Sequence, residues 1–127
     1  MSTVLVVEDD LTQQHLLSKL LERVGLTVIV AGDGVEALEK IQQFHPNLVI
    51  LDIVLPRMNG YEVCRRLKSE PETENIPVLM CSAKKEDFDR YWGMKQGADA
   101  YLAKPCHPQE IVETVKKLLK SHHQAAS

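Results

Sequence analysis

The 127 residues suffice for one domain with a proper core and are too few for two. Apolar content of 44% and charged content of 26% are ordinary for a soluble globular chain, and no apolar run approaches the ~18 residues of a membrane span. A formal charge of −3 leaves no basic footprint for nucleic acid and no polybasic membrane patch.

The amino terminus lacks a basic leader and turns acidic at Glu8-Asp9-Asp10, so no signal peptide is read and a cytoplasmic location is expected. Thr3 to Val7 is a β-branched apolar run, a buried strand. Leu16, Leu17, Leu20, Leu21 and Val24 recur at helical spacing and mark one face of a first helix closed by Gly25. Thr27 to Ala31 is a second strand. Asp33-Gly34-Val35-Glu36 has the form of a capping box, with Ala37, Leu38 and Ile41 as the core stripe of the helix it opens.

After a Pro46-Asn47 turn comes Leu48-Val49-Ile50-Leu51-Asp52-Ile53-Val54-Leu55-Pro56, an apolar run holding a single carboxylate. Such a run reads as a strand buried on both faces, as in parallel sheets. Asn59-Gly60 opens a third helix with Val63, Cys64 and Leu67 inward. Ile76 to Cys81 is the fourth strand, ending at Ser82, and Lys84 to Gln96 is a fourth helix bearing Phe88, Tyr91 and Trp92. A fifth strand lies within Ala98 to Ala103, followed by Lys104-Pro105. Pro108 starts the last helix, with Ile111, Val112, Val115, Leu118 and Leu119 as its stripe. Lys116, Lys117 and Lys120 read as a solvated face, and Ser121 to Ser127 as a polar tail.

Strand and helix alternate five times. Parallel strands need helical crossovers, and apolar strands need cover on both faces, so the expectation is a doubly wound α/β three-layer sandwich. The flavodoxin-like strand order 2-1-3-4-5 puts the first and third strands side by side at the switch point.

In that fold every polar residue at a strand end falls on the carboxyl edge, where ligands bind: Glu8 and Asp9, Asp52, Ser82 and Lys104. Clustered carboxylates raise one another's pKa unless compensated, and Mg²⁺ suits a shallow site of carboxylates, a carbonyl and waters. The constellation fits phosphoryl transfer to a carboxylate. Asp52 is the expected nucleophile, Lys104 a fixed cation, Ser82 a hydrogen-bond donor to the phosphoryl group, and the Val54 carbonyl a further metal ligand.

The three cysteines form no CxxC pair and no zinc pattern with the histidines. Cys64 and Cys81 read as core thiols. Cys106 sits in a loop where partial exposure is expected, although a small buried thiol is the commoner role.

Val6-Val7-Glu8-Asp9-Asp10, Leu51-Asp52-Ile53-Val54-Leu55-Pro56-Arg57-Met58-Asn59-Gly60, Cys81-Ser82-Ala83-Lys84 and Tyr101-Leu102-Ala103-Lys104-Pro105 together resemble the CheY-like receiver domain of two-component response regulators. The resemblance spans Thr3 to about Lys120. It implies Asp52 as phosphoacceptor, Glu8 and Asp9 in a Mg²⁺ site, Ser82 as switch hydroxyl, Tyr101 as switch aromatic and Lys104 as the phosphate-contacting lysine. It further implies a cis Lys104-Pro105 bond. A sensor histidine kinase or phosphotransfer domain would be the donor. Ser82 would be drawn toward the new charge, Tyr101 would turn inward, and the face of the fourth helix, fifth strand and last helix would change its affinity for a protein target.

On this reading residues 1–121 are the receiver and 122–127 a flexible tail with no output domain, acting as a monomer or a weak phosphorylation-dependent dimer. Trp92-Gly93-x-x-Gln96-Gly97-Ala98 is similar to PilH-type regulators of twitching motility and phototaxis; otherwise Trp92 is a core or interface aromatic. Cys106 stands where receivers often have Phe, which predicts looser packing under the switch loop. Val54 and Lys84 flank the path of an attacking water, and apolar Val54 predicts a long-lived phosphoryl group. A haloacid-dehalogenase-type phosphohydrolase would need an acid where Val54 stands. A flavin carrier would need a phosphate cradle in place of Glu8-Asp9-Asp10. A phosphate sink sharing a kinase remains compatible with the residues.

Overall fold

A computed structural model describes residues 2–126, with side chains described through residue 121. Five strands, β1 (Thr3–Val7), β2 (Thr27–Ala31), β3 (Leu48–Leu51), β4 (Val78–Ser82) and β5 (Ala100–Ala103), alternate with five helices. These are α1 (Leu11–Arg23), α2 (Gly34–Phe44), α3 (Gly60–Ser69), α4 (Asp87–Lys95) and α5 (Pro108–Ala126). All strand pairs are parallel and the sheet order is β2-β1-β3-β4-β5, the expected 2-1-3-4-5.

The three inner strands are buried almost throughout, because helices cover both faces. Leu5, Val49, Leu51 and Met80 face α2 and α3, while Val4, Ile50 and Leu79 face Leu17, Leu20 and Leu21 of α1 and Ile111 and Val115 of α5. Adjacent residues of one strand serve opposite cores, since strand side chains alternate.

The boundaries depart from the sequence reading where backbone partners run out. β3 ends at Leu51, so Asp52 leads the loop and Ile53 to Leu55 lie beyond the strand. β4 begins at Val78, after Pro77, whose nitrogen has no proton to donate; the Val78 N–H donates to the Asp99 carboxylate. α4 starts at Asp87 rather than Lys84, with the Asp89 carboxylate accepting the Glu86 N–H at its first turn. Leu16 of α1 is 64% exposed and Val24, just past the helix end, 37%, so neither joins the core stripe. At α2 the Asp33 carboxylate accepts the Glu36 N–H as expected, but Glu36 reaches back to the Gly32 N–H. Side chains of the 122–127 segment, expected as tail, lie outside the described residues.

Candidate functional site

The register builds the site. Val7 pairs with Leu51, so the next residues, Glu8 and Asp52, emerge side by side where β1 and β3 end, and the Asp52 N–H donates to the Val7 carbonyl. Ser82 pairs with Ala103, which sets Lys104 one step past the ladder, with its N–H on the Ser82 carbonyl. Carboxylate oxygens of Glu8, Asp9 and Asp52 lie within 4.8 Å of one another. Lys104 Nζ donates to Glu8 Oε1 at 2.6 Å, Gln13 Oε1 at 2.7 Å and Asp52 Oδ2 at 3.1 Å.

Burial pushes the Glu8 carboxyl above the usual range, only partly offset by its hydrogen bond from Lys104. Burial would lower the Lys104 ammonium, but the Glu8 hydrogen bond and the Asp52 charge outweigh it and hold the ammonium up. Three carboxylates thus face one ammonium. The remaining negative charge and the all-oxygen donor set fit a hard divalent cation such as Mg²⁺. Asp9 is exposed and offers its carboxylate to solvent at the rim. The Val54 N–H points to Asp52 Oδ1 at 3.3 Å, and the residue is 60% exposed.

Ser82 is fully buried and its Oγ accepts the Lys84 N–H at 3.3 Å. Tyr101 is 4% exposed, its ring already inward, and its hydroxyl donates to the Lys84 carbonyl. The resemblance implies that Tyr101 turns inward on activation; in this structure it lies inward already. Burial pushes its phenol up to about 12. Room for the ring comes from Gly93 of α4, where an added Cβ would lie 2.7 Å from Met80 Sδ and 3.0 Å from Tyr101 Cδ2. The Lys104-Pro105 bond is cis, as expected.

Two contributions to the site escaped the sequence reading. Gln13 holds Lys104 from the first turn of α1, where its own N–H donates to the capping Asp10 carboxylate and no local pattern marks it. Gly60 lets α3 approach the strand end, since a Cβ there would sit 2.2 Å from the Asp52 carbonyl oxygen. Cys106 Sγ lies 3.3 Å from Cys81 Sγ. On α4, Phe88, Tyr91 and Trp92 are exposed and stack edge to face, so Trp92 is a surface residue.

Residues 4–116 match the response regulator receiver domain family. The chain is 42% identical over 123 residues to the alkaline phosphatase synthesis transcriptional regulatory protein PhoP of Bacillus subtilis, covering 97% of this chain and 50% of PhoP. It is 38% identical over 117 residues to the DNA-binding response regulator MtrA of Mycolicibacterium paratuberculosis, covering 92% and 51%. The chain therefore spans about half the length of these curated relatives. Among solved structures, a response regulator from Chloroflexus aurantiacus superposes with a TM-score of 0.90 at 39% identity, covering 94% of this chain and 98% of that one. The chemotaxis response regulator CheY4 of Vibrio cholerae gives 0.87 at 29% identity, with 93% and 98% covered.

Proposed function

The chain belongs to the response regulator receiver domain family of two-component signalling, and from that premise we propose that Asp52 is its phosphoacceptor. Members of this family are phosphoacceptor signalling domains rather than enzymes. The observation that carries the proposal is Lys104 Nζ bridging Glu8 and Asp52 within the three-carboxylate cluster at the carboxyl edge.

A histidine kinase or phosphotransfer domain is the donor. An Asp52 carboxylate oxygen attacks phosphorus, a P–O bond forms, and the P–N bond to the donor imidazole breaks. Glu8, Asp9, Asp52 and the Val54 carbonyl would hold Mg²⁺. Bound there, the ion supplies positive charge against the phosphoryl oxygens. Lys104 shifts from the free carboxylate to the phosphoryl group, and the Ser82 hydroxyl donates to one of its oxygens.

Ser82 and Tyr101 both bond to Lys84, one through its N–H and the other through its carbonyl. Drawing Ser82 toward the phosphoryl group therefore displaces the segment that holds the Tyr101 hydroxyl. Tyr101 packs under Gly93, so the displacement reaches α4. The face of α4, β5 and α5, with its exposed Phe88, Tyr91 and Trp92, then changes its affinity for a protein target. Apolar Val54 at the crevice mouth favours a long-lived acyl phosphate. A place in type IV pilus motility or phototaxis is supported by the Trp92-Gly93-x-x-Gln96-Gly97-Ala98 pattern, with Trp92 outward on that face.

Incubation with acetyl phosphate and Mg²⁺, followed by intact mass, tests the chemistry. The expected result is a gain of ~80 Da that requires Mg²⁺ and is absent in Asp52→Asn. An adduct of equal yield in Asp52→Asn would overturn it.

A further inference from the structure

The Cys81–Cys106 contact has no part in the phosphoryl chemistry. Cys81 is the penultimate residue of β4 and points away from Tyr101, into the core shared with α1 and α5. Cys106 lies in the loop between β5 and α5, two residues after Lys104. Both thiols are free and their sulfurs are 3.3 Å apart, so the two side chains already converge. Cys106 is partly exposed and lines a groove between α1 and the start of α5 with Leu16, Leu17, Pro108 and Ile111. A small solute reaches the pair from that side. Cys81 lines the same groove but is only 5% exposed.

We propose that Cys81 and Cys106 form an oxidation site at which a hydroperoxide converts the two thiols into an intramolecular disulfide. Cys106 releases its proton to solvent and its sulfur attacks the terminal peroxide oxygen. The O–O bond breaks, leaving a sulfenic acid on Cys106 and, with hydrogen peroxide, hydroxide that takes up the proton as water. Cys81 Sγ, already in contact, then attacks the Cys106 sulfur. The S–S bond forms as the S–O bond breaks, and the departing hydroxide leaves as water with the Cys81 proton. Two electrons pass from sulfur to peroxide oxygen, and two waters leave.

Division of labour follows from burial. Burial pushes the Cys81 thiol well up, as does the neighbouring Cys106 sulfur, which makes it a poor first attacker but leaves it placed to resolve the sulfenic acid. Cys64 is an internal control. It is fully buried on α3, in the other core, its Sγ donates to the Gln96 carbonyl, and burial pushes its thiol up to about 11. A bond between Cys81 and Cys106 ties the residue before Ser82 to the loop that follows Lys104, cross-linking the two strand ends that flank the crevice. Formation of that bond does not depend on Asp52 being phosphorylated, so the two readings fail separately.

Trypsin places each cysteine in its own peptide: Cys64 in 58–65, Cys81 in 69–84 and Cys106 in 96–116, because Lys104 precedes proline. The full chain is treated with hydrogen peroxide, unfolded in guanidinium without reductant, alkylated with N-ethylmaleimide and digested. Expected are a loss of about 2 Da before alkylation, peptides 69–84 and 96–116 joined, and 58–65 alkylated, with dithiothreitol reversing the link. Cys106→Ser, with folding checked by circular dichroism, is expected to lose the 2 Da change and leave Cys81 alkylated. Three alkylated peptides after peroxide would overturn the proposal, as would a Cys106 that gains oxygen atoms without joining Cys81. A 2 Da loss that persists in Cys106→Ser would overturn it equally.

Discussion

The two faces of the sheet share the same strands and are closed to different degrees. On the side of α2, α3 and α4, Leu5, Val49, Leu51 and Met80 are fully buried, and Gly34 and Gly60 let helix and loop backbones meet. On the side of α1 and α5 the strand residues Val4, Val6, Leu48 and Leu79 are equally buried, but Leu16 stands out into solvent, Ile111 keeps 9% exposure, and a groove runs in to Cys106. The difference follows from how many helices cover each face: three on one and two on the other. On the proposed reading, the closed face carries a displacement from the crevice to α4 through Tyr101 and Gly93, whereas the groove on the open face reaches the back of the same strand ends. Met80 and Cys81, neighbours in β4, belong to the two faces in turn, as do Tyr101 and Leu102 in β5.

Core truncation is the harshest way to break this comparison. Leu51→Ala is expected to cost about 2–5 kcal/mol in urea denaturation, since neighbours on a closed face cannot collapse into the space. Ile111→Ala borders the groove, where solvent relieves the cavity, and is expected to cost about 1–2 kcal/mol. Equal costs would mean the faces are packed alike.

At the edge shared by both faces, Lys104→Ala is expected to slow phosphorylation by acetyl phosphate by about 100-fold, the scale set by loss of one preorganised charge donor. Far-UV circular dichroism should be unchanged. A rate within threefold of wild type would remove Lys104 from the chemistry.

Gly93→Ala sharpens the account of the closed face. Overpacking against Met80 and Tyr101 is expected to cost about 1–3 kcal/mol, of which roughly 0.5–1 kcal/mol returns as helix propensity. Near-UV circular dichroism should lose tyrosine signal as the ring is displaced. A stabilised variant with an intact signal would show that α4 has room to yield.

The smallest effect is expected on the solvent side of α3. Hydrogen bonds from Arg65 and Arg66 hold the Glu62 carboxyl at about 2, below its ordinary 4.5. A carboxyl depressed on folding adds stability that is complete above the unfolded value and is lost as pH falls through the folded one. The stability difference between wild type and Glu62→Gln should therefore be present at neutral pH and shrink from pH 4.5 toward 2. A difference that grows on acidification would contradict the pairing.

Much of the site was legible because strand ends are legible. Val7-Glu8, Leu51-Asp52, Cys81-Ser82 and Ala103-Lys104 each mark a change from apolar to polar, and a parallel sheet collects all such changes on one edge. Gln13 was not legible as a ligand of Lys104, since a glutamine in a first helical turn has no distinguishing local signal. Leu16 was misread because it shares the spacing of Leu17 and Leu20, and periodicity does not say which flank of a wide apolar stripe faces the sheet.

Sequence by itself determined the alternation of five strands and helices, the doubly wound class and the residues at the carboxyl edge, because those depend on local periodicity and on the obligatory crossovers of parallel strands. Only the tertiary structure decided that Lys104 bridges Glu8 and Asp52, that Tyr101 lies inward under Gly93, and that Cys81 and Cys106 touch. The Lys104 and cysteine contacts join residues 25 to 96 positions apart. No local pattern encodes such a distance; the packing of whole elements against one another sets it.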